Sequence, residues 1–151
     1  MAEGKSTKGP VRTWPQVRVF RELLRANARV MQQTRQFVEA ETGLSVTEFD
    51  MIVELGNQAG VKMSDLAAKM VVSAANVTRV AQSLAAKGIV VRERAKHSER
   101  EVLGRLTPEG QALFERHFPK ATAFMSGLID ERLTASEQMN LAKLLEKLSR
   151  E

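Results

Sequence analysis

Apolar residues near the start of the chain recur with the spacing of an amphipathic helix. From about Val11 to Thr42 they are separated mostly by three, four or seven residues, and arginines occupy another face at similar steps. The apolar positions are Val17, Phe20, Leu23, Leu24, Val30, Met31, Phe37 and Val38. Gly43 then supplies a residue that readily ends a helix. This helix is too long for the core of one small lobe, so part of its stripe is expected to contact a partner.

Polar residues followed by apolar stripes predict two shorter helices. Thr47 is predicted as the N-cap of the first, with an acidic first turn, and this helix fades at Gly56–Gly60. Ser64 is predicted to cap the second, Asp65–Met70. Both helices carry apolar residues on one side, which indicates that they pack against a common core.

A capped helix and two strand-like runs follow. Ser73 is predicted to cap a helix over about Ala74–Lys87. The β-branched run Ile89–Arg94 predicts a strand, and Val102–Leu106 can return as a second one. The charged stretch Ala95–Glu101 lies between them, so the pair is predicted to form a β-hairpin with a basic tip.

The C-terminal third is helical. Thr107 followed by Pro108 is a strong helix start, and this helix is expected to reach Leu128 or beyond. Thr134–Glu137 has the pattern of a capping box before a last leucine-rich helix. Earlier in the chain, the short helix, the two residues 71–72 and the Ser73-capped helix predict a helix-turn-helix, and the hairpin is placed as its wing.

The positive charge is concentrated in the middle of the chain. The formal net charge of the 151 residues is +5, and residues 60–106 alone hold 9 basic and 4 acidic groups. A local positive field on a folded segment indicates an anionic partner, most often nucleic acid. The alternative is a basic surface that only aids solubility.

Several classes of function are excluded or disfavoured. Cysteine is absent, which excludes disulfides, thiolate zinc sites, cysteine nucleophiles and thiol redox sensing. With only His97 and His117, no metal site or histidine catalysis is expected. We find no nucleophile–base pair or glycine-rich phosphate loop, so neither an enzyme nor a cofactor is predicted. No apolar run nears the roughly 18 residues of a membrane span, and no signal peptide is evident, so a cytoplasmic location is expected.

The stretch from Ser64 to Gly110 resembles the MarR family of bacterial transcription regulators. The residues that carry the resemblance are Leu66-Ala67, Ser73 through Thr78-Arg79, Leu84 through Val90, Arg94, Arg100 and Leu106 through Gly110. The resemblance implies a mainly α fold with a small β-hairpin wing, a winged helix-turn-helix with N- and C-terminal dimerisation helices. Residues 1–10 would form a disordered tail and 11–151 one subunit. Within that subunit, 11–45 and 107–151 would be dimerisation helices and 46–106 the winged helix-turn-helix lobe.

The wing departs from the family pattern. Family wings usually carry Asp-Arg-Arg near the tip, whereas this chain has Ser98-Glu99-Arg100 in that register. The departure removes an expected ion pair within the wing and one positive charge, which bears on wing rigidity and on minor-groove affinity. Lys96 and His97 can compensate in part.

The resemblance also indicates which residues would contact DNA. The N-terminal half of the second helix of a helix-turn-helix enters the major groove. There Asn76 could read adenine, and Arg79 could read guanine or hold a phosphate, while Ser64 suits a backbone phosphate. The predicted contacts are Ser64, Ser73, Ala74, Ala75, Asn76, Thr78, Arg79, Arg94, Lys96, His97 and Arg100. Ser73 could instead only cap its helix, and the wing could be a solvated turn balanced by its glutamates.

A ligand site is a further implication of the resemblance. Members of the family often bind small phenolic or anionic aromatic effectors, and one subgroup senses urate. Trp14, Asp50, Arg79 and Arg92 fall at the positions corresponding to the urate site. Trp14 has too little chain before it for the extra helix of that subgroup, and it could pack at the dimer interface instead. Asp50 is equally explained as a capping acid on Thr47, and a generic phenolic ligand, or none, remains an alternative.

The sequence therefore favours two alternative functions. The first is a sequence-specific, homodimeric repressor that binds a palindromic operator in double-stranded DNA and is released by a small anionic aromatic ligand. The second is a non-specific DNA-binding or protein-interaction winged-helix module without an effector. The altered wing and the two alanines at positions 74 and 75 motivate the second.

Overall fold

The structure, a computed structural model, describes residues 10–70 and 73–150. Its helices are α1 Pro15–Thr42, α2 Val46–Leu55, α3 Met63–Lys69, α4 Ala74–Ala86, α5 Pro108–Asp130 and α6 Ala135–Ser149. Its strands are β1 Val61–Lys62, β2 Val90–Ala95 and β3 Ser98–Leu106. The predicted mainly α fold with a hairpin wing is confirmed. Most of the predicted N-terminal tail, residues 1–9, and the predicted turn at 71–72 lie outside the described residues.

The chain divides into two compact units, and the first extends to Phe37. Its described part holds a 3-10 turn, Val11–Thr13, and most of α1. The helix begins at Pro15 and not near Val11, because proline disfavours the helical conformation in the residue before it; Trp14 accordingly has an extended ψ of 133°. The apolar side chains that α1 leaves exposed are Val19, Phe20, Leu23, Leu24, Val30 and Met31.

The second unit, from Val38 onward, contains a continuous apolar core. Its most completely buried side chains are Met51, Ile52, Leu55, Leu66, Val77 and Leu84. Leu106 of β3 and Phe114 of α5 belong to the same cluster. Each buried side chain of this size contributes roughly 1.5–3 kcal/mol relative to an exposed one. The core therefore joins α2, α3 and α4 to the wing and to the first half of α5.

The last helix contributes little to that core. No residue of α6 falls in the buried class. Its exposed apolar side chains are Met139, Leu141, Leu144, Leu145 and Leu148. The predicted capping box at its start is confirmed, with the Thr134 hydroxyl accepting from the Glu137 amide and the Glu137 carboxylate accepting from the Thr134 amide.

Two of the predicted caps are wrong. The N-cap of α2 is Ser45 and not Thr47, because Ser45 has the extended backbone of a cap and its hydroxyl accepts from the Glu48 amide at 3.2 Å. The N-cap of α3 is Lys62, which makes no side-chain cap bond, and Ser64 lies inside the first turn. The short strand β1 leads directly into α3, so the helix starts before Ser64 can cap it.

The hairpin is longer than predicted and its tip is shorter. Strands β2 and β3 pair antiparallel from Val90 opposite Leu106 to Ala95 opposite Ser98, which leaves Lys96 and His97 as a two-residue tip. Residues 98–101 were predicted as a charged loop, but a solvated strand face needs no apolar side chains. The unpredicted strand β1 pairs with the other edge of β3, and its two residues are too few to show an alternating pattern.

The base of the wing is joined to the start of α5. Thr107 caps α5 as predicted, and its hydroxyl also donates to the Gly88 carbonyl oxygen at 2.7 Å. Its amide donates to the Ile89 carbonyl oxygen at 3.0 Å. A Cβ on Gly110 would clash with that same carbonyl, so glycine allows α5 to approach the wing. We call this contact of Thr107, Gly88, Ile89 and Gly110 the wing joint.

Two classes of feature are not found in the part of the chain that the structure describes. Within residues 10–70 and 73–150, no helix is both long and apolar enough to cross a membrane. Over the same residues, no three acidic or histidine side chains are grouped as a metal ion would require.

Candidate nucleic-acid interface

The N-terminal half of α4 presents an exposed face opposite a buried stripe. Ser73 caps the helix as predicted, and its hydroxyl accepts from the Asn76 amide at 3.3 Å. The exposed positions are Ser73, Ala74, Ala75, Thr78 and Arg79. Asn76 is half-buried, less exposed than the sequence-based prediction of an outward position implied. The predicted inward residues Val77, Val80, Ala81 and Leu84 are all buried.

Two residues on this half of α4 are held together by their side chains. Arg79 donates to the carboxamide oxygen of Asn76 from Nη2 at 2.6 Å and from Nε at 3.3 Å. From the sequence, Asn76 and Arg79 were predicted as separate contacts. Their spacing of three residues on a helix places them side by side, which is the signal that could have indicated the pair.

Helix α4 is fixed to α2 by Glu48, which was not among the site residues predicted from the sequence. Its Oε1 accepts hydrogen bonds from Ser83 at 2.8 Å and Lys87 at 2.7 Å, and its Oε2 accepts from the Ser45 amide at 2.9 Å. Burial alone would raise the pKa of this carboxylate, but the hydrogen bonds from Lys87, Ser45 and Ser83 outweigh burial and lower the pKa to about 2. We call these four residues the Glu48 cluster.

A cavity of about 180 Å³ lies beside this cluster. It is lined by Ser45, Glu48, Arg79, Val80 and Ser83. Of the predicted ligand contacts, Arg79 lines this cavity, whereas Asp50 and Arg92 are exposed and do not. Although Asp50 is exposed as a residue, partial desolvation of its carboxyl and the nearby charge of Glu54 raise its pKa. Trp14 lies in the N-terminal unit, just before α1.

The wing exposes basic side chains and is braced by ion pairs. Arg94 on β2, Arg100 on β3 and the tip residues Lys96 and His97 are all exposed. Arg105 of β3 donates to Glu93 of β2 at 2.5 Å, and this hydrogen bond lowers the pKa of Glu93.

A second brace links Lys62 of β1 to Glu101 of β3 at 2.7 Å. The Arg105–Glu93 and Lys62–Glu101 ion pairs thus brace the wing nearer its base, in place of the ion pair that the sequence lacks at the tip. Ser64 is an exposed residue in the first turn of α3.

Comparison with known sequences finds related transcription regulators. The sequence model of the MarR family matches residues 42–101, from the end of α1 into β3. The uncharacterized HTH-type transcriptional regulator YdgJ of Bacillus subtilis (strain 168) is 30% identical over 110 residues, which are 73% of this chain and 66% of that protein.

Two solved structures are similar over nearly the whole chain. Sco3205, a MarR family transcriptional regulator from Streptomyces coelicolor in complex with DNA, has a TM-score of 0.83 at 18% identity and covers 95% of this chain and 91% of that one. BpsR of Bordetella bronchiseptica, whose DNA binding is regulated by 6-hydroxynicotinic acid, has a TM-score of 0.80 at 25% identity and covers 95% and 99%.

Proposed function

Because this chain belongs to the MarR family of winged helix-turn-helix transcription regulators, we propose that it represses transcription as a homodimer bound to a palindromic operator. A small phenolic or anionic aromatic ligand would release it. The proposed DNA contacts are those predicted on α3, α4 and the wing.

The observation that carries the proposal is the exposed N-terminal half of α4 next to a basic wing. Ser73 caps the helix, and Asn76 and Arg79 lie within its first two turns. Only Lys87, Gly88 and Ile89 separate α4 from β2, so the wing follows the helix at close range. A helix of this kind fits the major groove, while basic wing residues can hold phosphates or enter the minor groove.

Homodimerisation is supported by the apolar surface of the terminal helices. Phe20 of α1 is 61% exposed, and Leu144 and Leu148 of α6 are 58% and 65% exposed. Burying such surface is favourable by about 25 cal/mol per Å². A second copy of the chain is the proposed occupant, since two-fold symmetry would pair two recognition helices with two half-sites.

An aromatic acid is proposed as the effector. The DNA binding of BpsR is regulated by such a molecule, 6-hydroxynicotinic acid. In this chain Arg79 lines the cavity beside the Glu48 cluster, and its guanidinium is the group that would hold a carboxylate. Trp14, Asp50 and Arg92 remain the other proposed contacts. DNA and effector must then weaken each other's binding by the same factor.

The proposal is tested by recovering bound DNA from fragmented genomic DNA of the source at physiological salt. We expect a few enriched sites, each with two half-sites about one helical turn apart. Adding 6-hydroxynicotinate or another small aromatic acid should reduce recovery of those sites. Uniform retention across the genome would contradict the proposal and favour the non-specific module, which the small exposed side chains of Ala74 and Ala75 also fit.

A further inference from the structure

The side-chain oxygen of Asn76 is already occupied in the free protein. It accepts two hydrogen bonds from Arg79, at 2.6 Å from Nη2 and 3.3 Å from Nε. An amide oxygen has two lone pairs, so both are used. The groups that remain are the Asn76 Nδ2 hydrogens and the outer guanidinium hydrogens of Arg79, and all of them are donors. The pair therefore offers a donor-only surface at the N-terminal half of α4.

We propose that Asn76 and Arg79 act as one unit that reads guanine. In the major groove guanine presents two acceptors, N7 and O6, whereas adenine presents the acceptor N7 and the N6 donor. Reading adenine requires the carboxamide oxygen of asparagine, which Arg79 occupies here. The inference rests on the proposed DNA-binding function and differs from the sequence-based expectation that Asn76 reads adenine.

The surroundings favour the pair over competing partners for Arg79. The carboxylate that lines the cavity together with Arg79 is that of Glu48, and its two oxygens already accept from Ser83, Lys87 and Ser45. Asn76 is half-buried, and the Ser73 cap holds its backbone amide. Reading adenine would exchange the hydrogen bonds from the charged guanidinium of Arg79 for one from the neutral N6 amino group of adenine. Because a charged donor makes the stronger hydrogen bond, the pair with Arg79 is favoured.

The test is selection from a random-sequence DNA library by the full chain, followed by affinity measurements on the selected site. We expect the wild type to enrich guanine at one position of the half-site. Replacing that guanine by adenine should weaken binding by roughly 5- to 150-fold. Arg79→Ala frees the Asn76 oxygen, so the same position should change its preference to adenine. Gln82→Ala, an exposed substitution in the C-terminal half of α4, should leave the preference for guanine unchanged.

The loss of a positive charge in Arg79→Ala lowers affinity for all sequences alike, so the change in base preference is the deciding readout. A second measurement uses 7-deazaguanine, which lacks the N7 acceptor, at the selected position. It should weaken binding of the wild type but not of a doubly substituted Asn76→Ala, Arg79→Ala chain. Circular dichroism of each variant verifies that α4 has not unfolded.

Different outcomes of this selection would contradict the guanine inference and the proposed regulator function. If the wild type enriches defined sites that carry adenine at the position where substitution of Asn76 changes the base preference, the guanine inference is overturned while the regulator function stands. If substitution of neither Asn76 nor Arg79 changes the base preference at any position of the enriched sites, the inference is again overturned. If the wild type enriches no sequence at all, both proposals fail.

Discussion

Glu48 connects two helices through one carboxylate. Ser45 binds it at the start of α2, and Ser83 and Lys87 bind it from α4. The residue is 8% exposed, so its charge depends on these partners for stabilisation. Protonating it would remove the negative charge that pairs with Lys87 and would weaken the attachment of α4 to α2.

The charge of Glu48 should make stability depend on pH. Its pKa is about 2 in the folded chain against 4.5 as the ordinary value, so its contribution is complete above about pH 5 and is lost as the pH falls toward 2. The shift corresponds to about 3 kcal/mol, which solvent screening at the exposed Lys87 reduces to about 2 kcal/mol. Urea unfolding from pH 7 to pH 2.5 should therefore show a smaller pH dependence for Glu48→Gln than for the wild type.

Glu39→Gln, at an exposed position of α1, is the matched control and should follow the wild type. Equal pH dependence of the Glu48→Gln and wild-type chains would contradict the assignment.

The Ser45–Glu48 capping box is local and readable from the sequence, but the link from Glu48 to α4 could not be predicted because those partners are distant in the chain. Ser83 and Lys87 lie 35 and 39 residues away, and no local pattern links them to it. Ser73 and Thr134 were predicted as caps because a cap bond joins residues only three positions apart. Asn76 and Arg79 are also only three residues apart, but the sequence does not give the direction of their side chains, so the hydrogen bond between them could not be predicted.

At the scale of one element, two substitutions at the start of α2 distinguish between the two residues that could cap it. Ser45→Ala removes the capping box and should cost about 0.5–2 kcal/mol of unfolding free energy. Thr47→Ala, at the cap favoured by the sequence, should change it by less than about 0.5 kcal/mol because Thr47 lies within the helix and makes no cap bond. Urea unfolding at pH 7 measures both. A larger loss for Thr47→Ala than for Ser45→Ala would show that α2 begins later in solution.

The wing shows where an apolar sequence pattern does not suffice. The hairpin ends near Val90 and Leu106 were predicted from the β-branched run Ile89–Arg94 and its return at Val102–Leu106, and both residues are buried. The outer part carries charge on exposed positions, and backbone pairing alone defines it as strand. The hairpin is therefore longer than its apolar pattern indicates.

The exposed arginine of β2 should contribute to DNA affinity through phosphate contact. Removing one phosphate contact lowers the slope of log K against log salt by about 1, so Arg94→Ala should reduce the slope by that amount without changing the selected sequence. Lys143→Ala, on α6, loses the same charge outside the interface and should leave the slope unchanged. Binding isotherms at several salt concentrations measure this, and an unaltered slope for Arg94→Ala would remove Arg94 from the interface.

At the scale of the molecule, the terminal helices carry apolar surface that the chain itself leaves open. The exposed apolar residues of α6 occupy repeated positions toward its C-terminal end, and α1 has its own set in the N-terminal unit. The sequence predicted the excess on the first helix from its length. It could not predict which side chains remain exposed, because that depends on how far the core of the second unit extends.

The apolar face of α6 should hold two copies of the chain together. Leu144→Glu places a charge where an apolar contact is proposed, and it should convert a dimer to a monomer in sedimentation experiments without loss of helical content. Lys143→Glu, at the neighbouring exposed position, is the control and should remain dimeric. A monomeric wild type, or a dimeric Leu144→Glu chain, would contradict the proposed interface.

The wing joint has a consequence in simple mechanics. Helix α5 starts at this joint and runs for 23 residues, which is about 34 Å at the rise of an α-helix. A tilt of about 5° at Thr107 therefore moves the far end of α5 by about 3 Å. Conversely, a contact that restricts the C-terminal end of α5 to movements within about 1 Å would limit the tilt at the wing joint to about 2°. This ratio holds for a straight helix, and Pro119, which lies inside α5 and lacks a backbone N–H, is the position at which bending would reduce it.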